Sequence, residues 1–82
     1  MVGQERVAAD AALRRVVDRW LDDMSKIKGP GQFHNASQVL DWIHGASAFA
    51  RELGVIDDAG VQALAAAAES GFRAAIRSGG RA

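Results

Sequence analysis

Three stretches of the chain repeat apolar residues at helical spacing, the first two at alternating steps of four and three, and nowhere does the pattern alternate in twos. A period near 3.6 lays side chains along one face of a helix, whereas a strand would need a period of two. The first stripe runs Leu13, Val17, Trp20, Met24, Ile27, widened by Val16 and Leu21. The second runs Val39, Ile43, Ala46, Ala50, Leu53, with Trp42 and Phe49 beside it and Leu40 on its other edge. The third is formed by Val61, Leu64, Ala65, Ala68, Phe72, Ala75 and Ile76. The expected fold is therefore all-α: a small bundle of three helices over about 4–28, 36–53 and 58–77. Its 82 residues make one domain, with 1–3 and 78–82 expected to fray. The stripes either close on one another or leave a face that homodimerisation completes.

The punctuation between stripes is specific. Gly29-Pro30-Gly31 cannot continue a helix. Asn35 followed by Gln38 reads as a capping box opening the second helix. Gly54 reads as the left-handed residue just past its end, with Leu53 and Val55 as an apolar latch. Asp57 or Asp58 can cap the third helix, and the glycines near residue 79 end it. On the polar side of the first helix, Arg14/Asp18, Arg15/Asp18, Arg19/Asp23 and Asp22/Lys26 have the spacing of helix-surface ion pairs.

Charge and composition remove several function classes. Ten Lys and Arg balance ten Asp and Glu, so a partner bound mainly through its phosphates is not expected. Without cysteine there is no disulfide frame and no thiolate zinc or redox site. No apolar run approaches the ~20 residues a membrane span needs, and charges interrupt the first ten residues where a secretory signal would be apolar. A cytoplasmic protein is the expectation. The abundance of Ala, Gly, Arg and Asp suits a bacterial or phage gene.

Residues 47–64, SAFARELGVIDDAGVQAL, have a spacing similar to a helix-turn-helix. The detail fits that motif poorly. Ile56 stands where a polar turn residue is usual, and Gly60 where an apolar residue of the second helix is expected. The would-be reading helix opens on Asp57 and Asp58, which repel phosphate, and lacks Arg or Asn to contact base edges. An αα-corner accounts for the same letters.

Asp41, His44 and Ser47 follow one another at i, i+3, i+6. They lie on one helix with no oxyanion hole in view, so a solvated surface pair is expected rather than catalysis. The two histidines, His34 and His44, are not spaced as metal ligands. The Asn35-Ala36-Ser37 glycosylation pattern is better read as part of the cap, and GPGQ lacks the Lys-Ser/Thr of a phosphate loop. Neither an enzyme, a cofactor nor a metal is expected.

Surfaces remain. Gly60, Ala63, Ala67, Gly71 and Ala74 fall within a sector of roughly 80° on the third helix. Glycine inside a helix costs up to about 1 kcal/mol relative to alanine, and close approach of another helix is a reason to carry it. Trp20 and Trp42 sit toward the edges of their stripes, where an aromatic side chain can cover a seam or anchor a partner. Arg73, Arg77 and Arg81 repeat every four residues, a small anionic-partner patch or simply cations at a helix C-terminus. The expected function is a non-enzymatic helical protein–protein interaction module, self-associating, that docks a helix face on a protein partner. The alternatives are a phage or mobile-element inhibitor of a host defence protein, in the manner of anti-CRISPR proteins, and a DNA-binding regulator using residues 47–64.

Overall fold

The computed structural model describes residues 3–79, which form three helices: α1 (Gly3–Ser25), α2 (Gln32–Glu52) and α3 (Asp58–Gly79). Among these residues there is no strand. The three-helix bundle read from the apolar spacing is the fold of the chain. Of the segments expected to fray, 1–2 and 80–82 lie outside the described residues, while residues 3, 78 and 79 are helical.

The chain runs up, down, up. Trp20 of α1 meets Trp42 of α2, and Phe33 of α2 meets Phe72 of α3. Alongside, α1 and α3 run parallel: Asp10 shares a cleft with Gly60, Val17 a crevice with Leu64, and Leu21 lies against Gly71. Helix α2 packs most extensively against α3 and less against α1. It supplies the middle of the core with Ala36, Val39, Ile43, Ser47 and Ala50, all buried. From α1 only Val17 and Met24 are buried, and from α3 Leu64, Ala68 and Ala75. The molecule measures 49 × 18 × 15 Å. Its radius of gyration, 13.9 Å, exceeds the roughly 12 Å of a rounded domain of this length.

Local chemistry explains each break. The backbone N–H groups of Lys26 and Ile27 donate back three residues, to Asp23 and Met24, tightening the end of α1 (3.1 and 3.2 Å). Gly31 then takes a left-handed φ of 79° and serves as the N-cap of α2, with no side-chain cap. The expected capping box is not formed. Asn35 already lies inside the helix, its N–H donating to the Gly31 carbonyl at 2.9 Å. The helix begins four residues earlier than Ala36 because Gln32 is held from outside. Its Nε2 donates to the carbonyls of Ala75 (2.7 Å) and Ile27 (3.3 Å), tying the start of α2 to α3 and to the connection that follows α1.

At the other end of α2 the αα-corner has the geometry the residues call for. Gly54 has φ 76°, its N–H donates to Arg51, and the Val55 N–H donates to Ala50 (3.0 and 2.9 Å). That is a Schellman cap, with Val55 and Ala50 both buried as its apolar contact. Val55 and Ile56 then plug the end of the bundle, each 7% exposed. Asp57 caps α3, its Oδ1 accepting from the Gly60 N–H at 2.9 Å. Asp57→Ala should cost about 1 kcal/mol, read as a lower urea midpoint at unchanged slope; no shift would mean another group holds the first turn.

The helix-surface ion pairs differ from expectation. Asp22–Lys26 forms at 2.9 Å, and Asp22 raises the Lys26 pKa, by hydrogen bond first and charge second. The other three expected pairs do not form: Arg14 turns back to Asp10 (3.3 Å) rather than forward to Asp18. Arg51 pairs with Asp58 across the corner, which raises its pKa through the same hydrogen bond and charge. Apart from Asp10, which is half-buried, these groups are exposed, where such pairs contribute little stability.

Candidate functional site: an apolar face along helix α2

Helix α2 carries more apolar surface than its two neighbours cover. Trp42, Phe49 and Leu53 remain 48%, 66% and 52% exposed. At about 100° per residue they fall within some 40° of one another, turned roughly a quarter-turn from the buried line Val39–Ile43–Ala50. Trp42 touches Trp20, with ring centroids 6.0 Å apart and planes inclined by 50°, so the stripe runs along the α1 side of α2. Trp20, Asp41, Trp42, Gly45 and Ala46 line a shallow, open depression there.

Sequence spacing assigned Leu53 to the core stripe; it lies outside it. The helix ends at Glu52, and Val55 and Ile56 occupy the end of the core instead. Phe49 and Leu53 were thus visible as apolar residues but not as surface. The available signal was the width of the apolar arc on α2, broader than two flanking helices can bury.

Gly45 lies between Trp42 and Phe49 along the helix, at the edge of this stripe farther from the core. A Cβ at that position would meet nothing within 4 Å, so no contact within the chain requires glycine there. Gly45→Ala should therefore stabilise the isolated chain by up to about 1 kcal/mol, seen as a raised thermal midpoint. A lowered midpoint would mean that something already fills the space.

The other expected site residues are dispersed. A Cβ at Gly71 would come within 3.0 Å of Leu21 Cδ2 and 3.7 Å of Met24 Sδ. The helix that approaches Gly71 is therefore α1 of the same chain. At Gly60 a Cβ would sit 3.0 Å from the Ile56 Cβ, again within the chain. Ala63 and Ala67 border the crevice with Val17 and Leu21, Ala74 lines another beside Leu21 and Ser25, and all three are exposed. Arg73 and Arg77 are exposed on α3; Arg81 lies outside the described residues.

Asp41, His44 and Ser47 do not share a solvated face. Ser47 is buried, its hydroxyl donating to the carbonyl of Ile43 one turn earlier in the same helix. It lies four residues after Ile43, on the core line, and a small hydroxyl satisfied by its own helix fits there. Asp41 is exposed, His44 half-buried, and the two form no hydrogen bond. Among the described residues no group of three or more His, Asp or Glu is placed to hold a metal ion, and no helix is long and apolar enough to cross a membrane.

A second cleft lies between the first turns of α1 and the α2–α3 corner, lined by Arg6, Val7, Asp10, Arg14, Ile56 and Asp57 among others. Its two arginines and two aspartates offset one another, and Asp57 is already committed to its cap. At that corner, where a helix-turn-helix would meet DNA, α3 begins with the Asp57 cap and the Asp58–Arg51 pair. No family model, curated protein or solved structure matches the chain.

Proposed function

We propose that the protein is a non-enzymatic interaction module that docks the Trp42–Phe49–Leu53 face of α2, with Trp20 at its edge, against a helix of a protein partner. The observation that carries this reading is that exposed face: two aromatic side chains in line on α2, continued by Leu53 at its C-cap. Singly exposed apolar residues are ordinary, but a contiguous stripe marks a contact surface. Tryptophan and other aromatics are the residues on which binding energy concentrates. A helix laid in a groove presents anchors one face apart, and Trp42 and Phe49 stand at the i and i+7 positions of such a face.

The test compares captures by the wild-type chain and by Phe49→Glu, a substitution on the surface that leaves the core alone. A partner retained by the wild type and lost by the variant, with circular dichroism unchanged, is the expected result. Equal recovery by both chains would place the contact elsewhere, with the α3 surface of Ala63, Ala67 and Arg73 the next to probe.

A further inference from the structure

We infer that the occupant of this face is a second copy of the chain, docked about a twofold axis parallel to the helices so that α1 of each copy lies over α2 of the other. The inference rests on the docking reading above and adds the identity of the partner.

Three observations favour a second copy. The first is charge. Arg19 precedes Trp20 and Asp41 precedes Trp42, so each is offset by about 100° from the tryptophan that follows it. Both are exposed, and neither forms an ion pair among the described residues. They flank the Trp20–Trp42 contact at nearly the same height in the bundle, the cation on the α1 rim and the anion on the α2 rim. A twofold axis along the helices brings the α1 rim of one copy over the α2 rim of the other. Arg19 then meets the partner's Asp41, and the reciprocal pair forms by symmetry, as an isologous contact demands. An axis perpendicular to the helices would instead stack α2 on α2, setting Asp41 near the partner's Glu52, like against like.

The second observation is the gap at Gly45. Nothing in the chain needs it, yet it lies beside Trp42 on the open face, where it lets another backbone come close. The third is topology. Helices α1 and α2 are antiparallel, so laying this pair on its copy gives four helices in which every neighbour is antiparallel, a favourable bundle arrangement. It also brings two Trp20–Trp42 pairs into one layer. With zero formal net charge, no long-range repulsion opposes the association.

Sedimentation equilibrium from low micromolar to sub-millimolar chain tests this on five proteins: wild type, Phe49→Glu, Arg19→Glu, Arg19→Glu combined with Asp41→Arg, and Gly45→Gln. The wild type should weigh twice its 8.7 kDa and Phe49→Glu should weigh one chain, with helicity retained. Arg19→Glu should weaken association about tenfold or more, because it sets a second carboxylate against the partner's Asp41. The double reversal should recover most of that loss. A chain that stays monomeric throughout overturns the second copy while leaving a foreign helix as occupant, which the capture comparison decides separately. A dimer indifferent to Phe49→Glu overturns both readings. A double reversal no better than Arg19→Glu overturns the twofold arrangement, and a Gly45→Gln chain that dimerises as tightly as wild type removes the close approach.

Discussion

Ile43→Ala should lower stability by about 2–5 kcal/mol, the range for truncating a large aliphatic in a core, and leave a visibly unfolded fraction at room temperature. Ile43 has no exposed surface and lies at the middle of α2, between α1 and α3. Most of what surrounds it is small. Ala36, Ala50, Ala68 and Ala75 are all buried, and only Met24, Val17 and Ser47 accompany Ile43 as the largest fully buried side chains. Removing three carbons therefore takes away a large share of the apolar volume that joins the helices. A core of this size rarely supplies more than about 3–5 kcal/mol net, so a loss in the usual range nearly exhausts it. Urea unfolding followed at 222 nm checks the expectation. A loss below 1 kcal/mol would mean that the helices close over the cavity, or that Ile43 is not central.

Gly71→Leu should cost about 1–3 kcal/mol, the usual penalty for forcing extra carbons into a packed contact. Its first added atom already reaches 3.0 Å from Leu21 Cδ2. A methyl alone is tolerable if the end of Leu21 swings aside, and alanine recovers the helix propensity that glycine forgoes. Gly71→Ala is therefore expected to be nearly neutral. Leucine cannot be accommodated that way, because Met24 Sδ stands behind at 3.7 Å, so α1 must move off α3. Since the obstructed helix belongs to the same chain, the loss should not depend on protein concentration. A destabilisation that disappears on dilution would place the close approach between chains, as the small residues of α3 first suggest.

The repeat of apolar residues was enough to read three helices, because burying a stripe is what makes each helix stable. Their ends were legible only where the signal is local. Gly54 and Asp57 act as read, since a left-handed glycine and a carboxylate cap need nothing beyond the neighbouring turn. Asn35 misled, although its capping pattern is sound, because Gln32 gains partners from Ile27 and from Ala75, 43 residues away in sequence. Of the ion pairs only Asp22–Lys26 forms as its spacing suggests; i,i+4 spacing offers Arg14 both Asp10 and Asp18, and side-chain packing makes the choice. Trp20 and Trp42 were recognised as edge residues and Phe49 was placed beside the stripe, while Leu53 was grouped with the core. Which side of α2 stays open depends on where α1 comes to rest, and no local pattern in α2 carries that.

The 49 × 18 × 15 Å outline bears on how copies of this chain are counted. A rod drags more than a sphere of equal mass, so a single chain leaves a sizing column early, at a position calibrated by rounder and heavier standards. Two such rods laid side by side are stouter and elute less far ahead of their true mass. Retention volume therefore exaggerates the monomer and compresses its distance from a pair. Only scattering or sedimentation, which weigh the particle directly, can tell one from two.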